Sequence, residues 1–126
     1  LRTIPPPGVV MPQSAATPLR FDPNQQGPLH DIRVVDLSRL VAGNMLTAYL
    51  ADFGADVIKV EPPTGEGTRK LLATDPNNSI DGMGAYFITL NRNKRTMCID
   101  LKSPRGLELF YQLVKEADVV LNNFGN

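Results

Sequence analysis

Five basic side chains fall within fourteen residues: Arg92, Lys94, Arg95, Lys102 and Arg105. Charges this close can form a solvated face. They can also hold an anion, because ammonium and guanidinium groups suit phosphate oxygens. Ile99 and Leu101 lie among the charges and would offer an apolar seat for a ring beside the phosphates. Residue types alone leave both readings open. Elsewhere, Glu61 follows Val57-Ile58-Lys59-Val60, where an acid could hold a ribose hydroxyl. The turn that would serve such a nicotinamide site is Asp36-Leu37-Ser38-Arg39-Leu40-Val41-Ala42-Gly43-Asn44. It carries one glycine where the pyrophosphate fingerprint needs three, so nicotinamide binding is set aside. Gly65-Glu66-Gly67 is a glycine pair with no phosphate-loop lysine and signals flexibility only.

Cys98 is the single cysteine and His30 the single histidine. One cysteine forbids an internal disulfide and fits a reducing compartment. Between Met97 and Ile99 it reads as a buried strand cysteine rather than a reactive thiol. His30 has no second histidine with which to share a metal, so it reads as a surface residue and no metal site is expected. Thirteen basic and thirteen acidic residues give a formal net charge of zero. That balance argues for neither nucleic acid nor a membrane surface as partner. The first residues show no apolar core followed by a small-residue cleavage site, and no apolar run approaches a bilayer span. The expected location is cytoplasmic.

The elements that position these residues are legible from periodicity. Residues 1–30 hold seven of the eleven prolines and read as an extended, proline-rich tail, with Met11 a candidate start of translation. Residues 31–126 read as the folded part. Ile32, Val34 and Val35 predict a first strand ending near Asp36. Ala42, Leu46, Leu50 and Phe53 recur at helical spacing and predict a helix stopped by Gly54. Val57, Ile58 and Val60 predict a second strand, which completes a βαβ unit with parallel strands. Residues 62–82 read as loop, Met83–Leu90 as a short helix and Thr96–Leu101 as a third strand. Ser103 and Pro104 begin a helix whose predicted inner face is Leu107, Phe110, Tyr111, Val114 and Ala117. Val119, Val120 and Leu121 predict a fourth strand. The fold class is therefore α/β, a Rossmann-like, doubly wound parallel sheet. That sheet is expected to be incomplete in this chain, with its open parts covered by more of the polypeptide or by a partner.

Five segments in fixed order carry a resemblance. They are Val34-Val35-Asp36-Leu37-Ser38, Ala51 to Pro62, Asn91-Arg92-Asn93-Lys94-Arg95, Ile99 to Gly106, and Ala117 to Gly125. Together they are similar to the amino-terminal part of the class III CoA-transferases, a family that also contains α-methylacyl-CoA racemases. The resemblance spans about 95 residues from Gly27 onward. It implies coenzyme A as the bound substrate, an acyl-CoA and a small carboxylic acid as reactants, and an interlocked dimer. Its CoA contacts, carried over position by position, are Val41 and Ala42 in the first turn, Ile99, Asp100, Leu101 and Lys102 near the adenosine, and Asn123, Phe124 and Gly125 after the last strand. Asn44 departs from the family's Ala-Gly-Pro, and Val41 replaces a glutamine that some relatives carry. Lys59-Val60-Glu61 and Asn122-Asn123-Phe124 favour the transferases over the racemases. The implied chemistry is covalent, through an aspartyl nucleophile expected beyond Asn126. A fragment that binds CoA or a partner without turnover is the non-enzymatic alternative.

Overall fold

Alternation along the first strand sends Val34 and Asp36 to one side of the sheet and Val35 to the other. In the computed structural model, which describes residues 24–125, that strand is β1, Arg33–Asp36. Helix α1 (Ala42–Asp52) returns the chain to β2 (Asp56–Glu61), and β1 pairs with β2 in parallel. Gly54 makes the reversal with φ of +99°, a conformation that costs glycine little. A 3₁₀ turn at Gly67–Arg69 follows. Next come β3 (Ser79–Ile80) and β4 (Met83–Gly84), an antiparallel pair, and α2 (Ala85–Leu90). Strand β5 (Arg95–Cys98), helix α3 (Pro104–Lys115) and strand β6 (Val119–Leu121) complete the order. The main sheet is parallel, with strand order β5-β2-β1-β6.

Helices cover both faces, as a doubly wound sheet requires. On one side Val34 and Val57 pack with Ala51 and Ala55, joined by Leu29, Ile32 and Leu50. On the other, Val35, Leu37, Val60 and Ile99 pack against Leu101, Phe110, Leu113 and Ala117. Ser103 caps α3 by accepting from the Gly106 N–H at 3.0 Å, with Pro104 in the first turn, as expected.

Several expectations need correction. Met83 and Gly84 belong to the small antiparallel pair, because the Asp81-Gly82 corner, both residues at positive φ, folds the chain back before α2 begins. Strand β5 ends at Cys98, since the Asp100 carbonyl accepts from the Ser103 N–H and turns the chain into α3. Cys98 is exposed, not buried: β5 is an edge strand, and its residues are uncovered among the described residues. Helix α1 has the expected period but a different phase. Its buried residues are Gly43, Asn44, Thr47, Ala48 and Ala51, while Leu46 and Phe53 are 47% and 56% exposed. On α3 the inward residues are Phe110 and Leu113, joined by Ala117 just past the helix end, and Leu107 and Tyr111 are exposed. Of the proline-rich segment, residues 1–23 lie outside the described residues, and 24–30 hold turns only. His30 is exposed, its ring nitrogen 3.0 Å from the Gly27 carbonyl.

Candidate functional site

Strand order decides where a ligand can sit. The chain runs from β1 outward to β2 and β5, then crosses back to place β6 on the far side of β1. Loops leaving the carboxyl ends of β1 and β6 therefore diverge, and the crevice between them is where open α/β sheets bind ligands. Here those loops are Leu37–Leu40 and Asn122–Gly125. A groove of about 740 Å³ opens there, lined by Arg39, Leu40, Thr64–Gly67, Lys102 and Asn123–Gly125. Beside it is a cavity of about 110 Å³ with Leu37, Val60, Ile99 and Leu101 as its apolar wall and Asp100 and Lys102 at its rim. Arg39, Lys102 and Phe124 line both, so the two spaces join.

The loop after β1 is fixed by side chains. All six backbone polar groups of Ser38, Arg39 and Leu40 have a side-chain partner. Asp36 accepts from the Ser38 N–H at 2.8 Å, and Lys59 Nζ donates to the Ser38 carbonyl at 2.9 Å. Asn123 takes both groups of Arg39, its Oδ1 accepting and its Nδ2 donating, each at 2.8 Å. Glu66 Oε1 accepts from the Leu40 N–H at 3.0 Å, and Asn44 Nδ2 donates to the Leu40 carbonyl at 2.6 Å. Leu40 itself has φ of +60°, which costs a non-glycine residue on the order of 1–3 kcal/mol and persists only where its surroundings over-determine it.

Beneath the loop lies a buried charge network. Alternation puts Asp36 and Lys59 on the α1 side of the sheet, and they are partners in the β1–β2 register. Both are fully buried, as is the Lys94 side chain. Asp36 Oδ2 lies 3.8 Å from Lys59 Nζ and 3.2 Å from Lys94 Nζ, and accepts from Thr47 Oγ1 at 2.6 Å. Its Oδ1 accepts from Ser38 Oγ at 2.5 Å. Lys59 Nζ also donates to Asn44 Oδ1 at 2.5 Å, and Lys94 Nζ contacts the Asn44 carbonyl, Thr47 Oγ1 and Asn91 Oδ1 at 2.7–2.9 Å. This is why α1 turns small and polar residues inward. Burial works against the Asp36 charge, yet Lys59, the two hydroxyls and Lys94 together hold its pKa below the usual carboxylate range. Burial lowers Lys59, although Asp36, Glu66 and Glu61 favour its charge. Lys94 is brought down to about 8, first by burial and then by Lys59.

A second ion cluster braces the groove floor. Arg69 donates to both oxygens of Glu61 at 2.6 and 2.7 Å, and its guanidinium carbon sits 3.7 Å from the centre of the Phe87 ring. Glu61 also accepts from the Glu66 N–H at 3.0 Å, and Glu66 accepts from Thr68 through both its N–H and its hydroxyl. Burial opposes ionisation of Glu61, but Arg69 and the Glu66 N–H outweigh it and lower the pKa. Glu61, which could have served a ribose, is thus occupied by Arg69.

The basic stretch is dispersed rather than gathered. Arg92 pairs with Asp52, Lys94 with Asp36, Arg95 with Asp56 and Arg105 with Glu108. Lys102 alone of the five lines the groove. Of the expected contact residues, Ile99, Asp100, Leu101, Lys102 and Phe124 line the smaller cavity, and Asn123 and Gly125 join Lys102 and Phe124 in the groove. Val41 and Ala42 lie exposed at the start of α1, next along the chain from Leu40, and line neither space. Sequence reasoning missed the supporting set: Arg39, Asn44, Thr47, Lys59, Glu66 and Arg69. Lys59 did carry a signal, since a lysine inside an apolar parallel strand needs a buried acid. Among the described residues, no group of His, Cys, Asp and Glu is arranged to hold a metal, and no helix is long and apolar enough to cross a membrane.

The chain is 45% identical over 105 residues to the succinate–glutarate CoA-transferase of Agrobacterium fabrum, an alignment covering 81% of this chain and 26% of that protein. It is 44% identical over 98 residues to the formyl-CoA:oxalate CoA-transferase of Bradyrhizobium sp., covering 77% and 22%. Its fold matches the crystal structure of a CAIB/BAIF family protein from Brucella suis with a TM-score of 0.72 and 44% identity, over 79% of this chain and 26% of that one. The chain thus spans about a quarter of the length of these relatives. The model of CoA-transferase family III matches residues 29–126, which takes in every element from β1 to β6. By sequence and by fold, this chain belongs to CoA-transferase family III.

Proposed function

We propose that the intact protein carrying this chain moves CoA from an acyl-CoA to a free carboxylic acid, and that the groove between the ends of β1 and β6 receives the CoA. One observation carries the reading. Seven of the nine positions that family resemblance marks for CoA line the two joined spaces at the strand-order switch. On this reading Ile99 and Leu101 seat the adenine, Lys102 meets phosphate, and Phe124 and Gly125 border the path of the arm. Val41 and Ala42 contribute backbone N–H groups at the start of α1, which has no side-chain cap to occupy them. Asn123 serves by fixing Arg39 rather than through free amide groups.

The chemistry that fits is nucleophilic catalysis by an aspartate. Its carboxylate attacks the thioester carbonyl, the C–S bond breaks, and CoA leaves as thiolate from an acyl-aspartyl anhydride. The thiolate attacks the aspartyl carbonyl, releasing the donor acid and leaving an aspartyl-CoA thioester. The acceptor carboxylate attacks that thioester and expels the thiolate, giving a second anhydride. The thiolate then takes the acceptor's acyl group and frees the aspartate. The nucleophile is assigned to none of the aspartates described here. Asp36, Asp52 and Asp56 are paired with cations, Asp118 accepts from the Arg33 N–H, and Asp100 accepts from the Lys102 N–H. We assign it to a residue of the intact protein outside this chain. Exposed Leu107, Tyr111, Val119 and Val120 support cover of α3 and β6 by further polypeptide or a second subunit, in line with a dimer.

The test is a transfer assay. The intact protein is given succinyl-CoA with a panel of small mono- and dicarboxylic acids, and thioesters are followed by mass spectrometry. A new acyl-CoA formed as succinyl-CoA disappears is expected, with none from the 126-residue chain alone. Transfer by the chain alone would overturn the assignment of the nucleophile. No transfer to any acid, with racemisation of a 2-methylacyl-CoA instead, would favour the racemase branch.

A further inference from the structure

The cations of this region fall into two groups. Arg92, Lys94, Arg95 and Arg105 each have a carboxylate partner, whereas Arg39 and Lys102 have none among the described residues. Arg39 and Lys102 stand where the groove and the smaller cavity join. Arg39 is also unusually well held. Asn123 binds its backbone on both sides, and its guanidinium carbon lies 4.9 Å from the centre of the Phe124 ring. A planar group with five N–H donors is thus anchored over an aromatic face with no acid to satisfy it. The sequence reading gave Arg39 no role.

Lining separates the two spaces. The smaller cavity has an apolar wall of Leu37, Val60, Ile99 and Leu101; of the acids at its edge, Glu61 is taken by Arg69 and Glu66 by Leu40 and Thr68, and Asp100 sits at the rim. That apolar wall suits a base. The groove is bordered by one acid, Glu66, which is buried and whose oxygens are taken by Leu40 and Thr68. In CoA the diphosphate links the adenosine to the pantetheine arm. A base in the smaller cavity with the arm in the groove therefore sets the diphosphate at the junction. Resting on the reading that this groove holds CoA, we infer that Arg39 binds the diphosphate of the ligand.

The experiment is calorimetric titration of the intact protein with CoA, dephospho-CoA and pantetheine, for the unaltered protein, Arg39→Gln and Arg39→Lys. Arg39 is exposed, so neither substitution disturbs the core. Arg39→Gln should weaken CoA and dephospho-CoA by the same factor, about 10- to 100-fold, the scale of lost charge-assisted hydrogen bonds. Pantetheine binding should be unchanged, and Arg39→Lys should recover part of the loss. Undiminished CoA binding by Arg39→Gln overturns the inference. A loss for CoA but not for dephospho-CoA also overturns it, because the 3′-phosphate is then the contact. An equal loss for pantetheine overturns it too, because damage then extends beyond a phosphate contact. If the unaltered protein binds no CoA, the reading of the groove itself fails, and this inference with it.

Discussion

Asp36→Asn tests whether the loop after β1 rests on a buried charge. The change is nearly isosteric and removes one negative charge between two ammonium groups. All three side chains are fully excluded from solvent, with Asp36 3.2 Å from Lys94 and 3.8 Å from Lys59. Removing one partner from such a pair costs about 3–5 kcal/mol, because the remaining charge lies buried without compensation. The new amide would also set an N–H₂ against donors that Asp36 now satisfies, including the Ser38 N–H. A domain has about 5–15 kcal/mol in total, so the variant should fold but sit near its limit. With a urea slope of about 2 kcal/mol/M, the midpoint should fall by about 2 M. Far-ultraviolet circular dichroism of the intact protein in urea would read this shift. Combining Asp36→Asn with Lys94→Met should cost less than the sum of the two changes by at least about 1 kcal/mol, since the second removes a charge the first left uncompensated. A shift under about 0.5 kcal/mol for Asp36→Asn, or simple additivity with Lys94→Met, would refute the buried network.

Titration gives a second check. The folded-state pKa of Asp36 is lowered from 3.8, so the unfolded chain takes up that proton first. The stability Asp36 contributes is present above pH 3.8 and is lost as pH falls through the folded value, and Asp36→Asn should lack this part of the acid limb. For Lys94, lowered from 10.5 to about 8, the unfolded chain keeps its proton longer. Between those values its contribution makes stability rise with pH, and Lys94→Met should flatten that rise in urea titrations at successive pH. Gly43→Ala should loosen the site. Its Cβ would stand 2.3 Å from Ser38 Cβ and 2.7 Å from Ser38 Oγ, so α1 and the loop must part. A cost of about 1–3 kcal/mol and weakened CoA binding are expected, and an unchanged melting temperature would contradict the close approach.

The βαβ frame was legible because its signals are local. Apolar runs at Val34-Val35 and Val57–Val60, the glycine stop at Gly54 and the Ser103-Pro104 helix start each act over a few residues. The phase of α1 was not legible, because the inner face of that helix meets charges instead of apolar side chains. Leu46 and Phe53 made the hydrophobic pattern, while Asn44 and Thr47, polar residues that hydropathy sends outward, went in to meet Asp36, Lys59 and Lys94. The basic stretch failed as a unit for the same reason. Asp52, Asp56 and Asp36, the partners of Arg92, Arg95 and Lys94, lie 39 to 58 residues earlier, and only folding brings them into reach. Resemblance to a family gave Lys102, Asn123, Phe124 and Gly125, four of the eleven residues that line the groove. Arg39 and Glu66 emerged only when the strand order showed which loops border the crevice.

The central claim is that CoA lies in the groove where β6 crosses back beside β1. A crystal structure of the intact protein with CoA tests it most directly. The account predicts adenine against Ile99 and Leu101, diphosphate between Arg39 and Lys102, and the arm leaving past Phe124. CoA bound elsewhere, with these residues untouched, would contradict it.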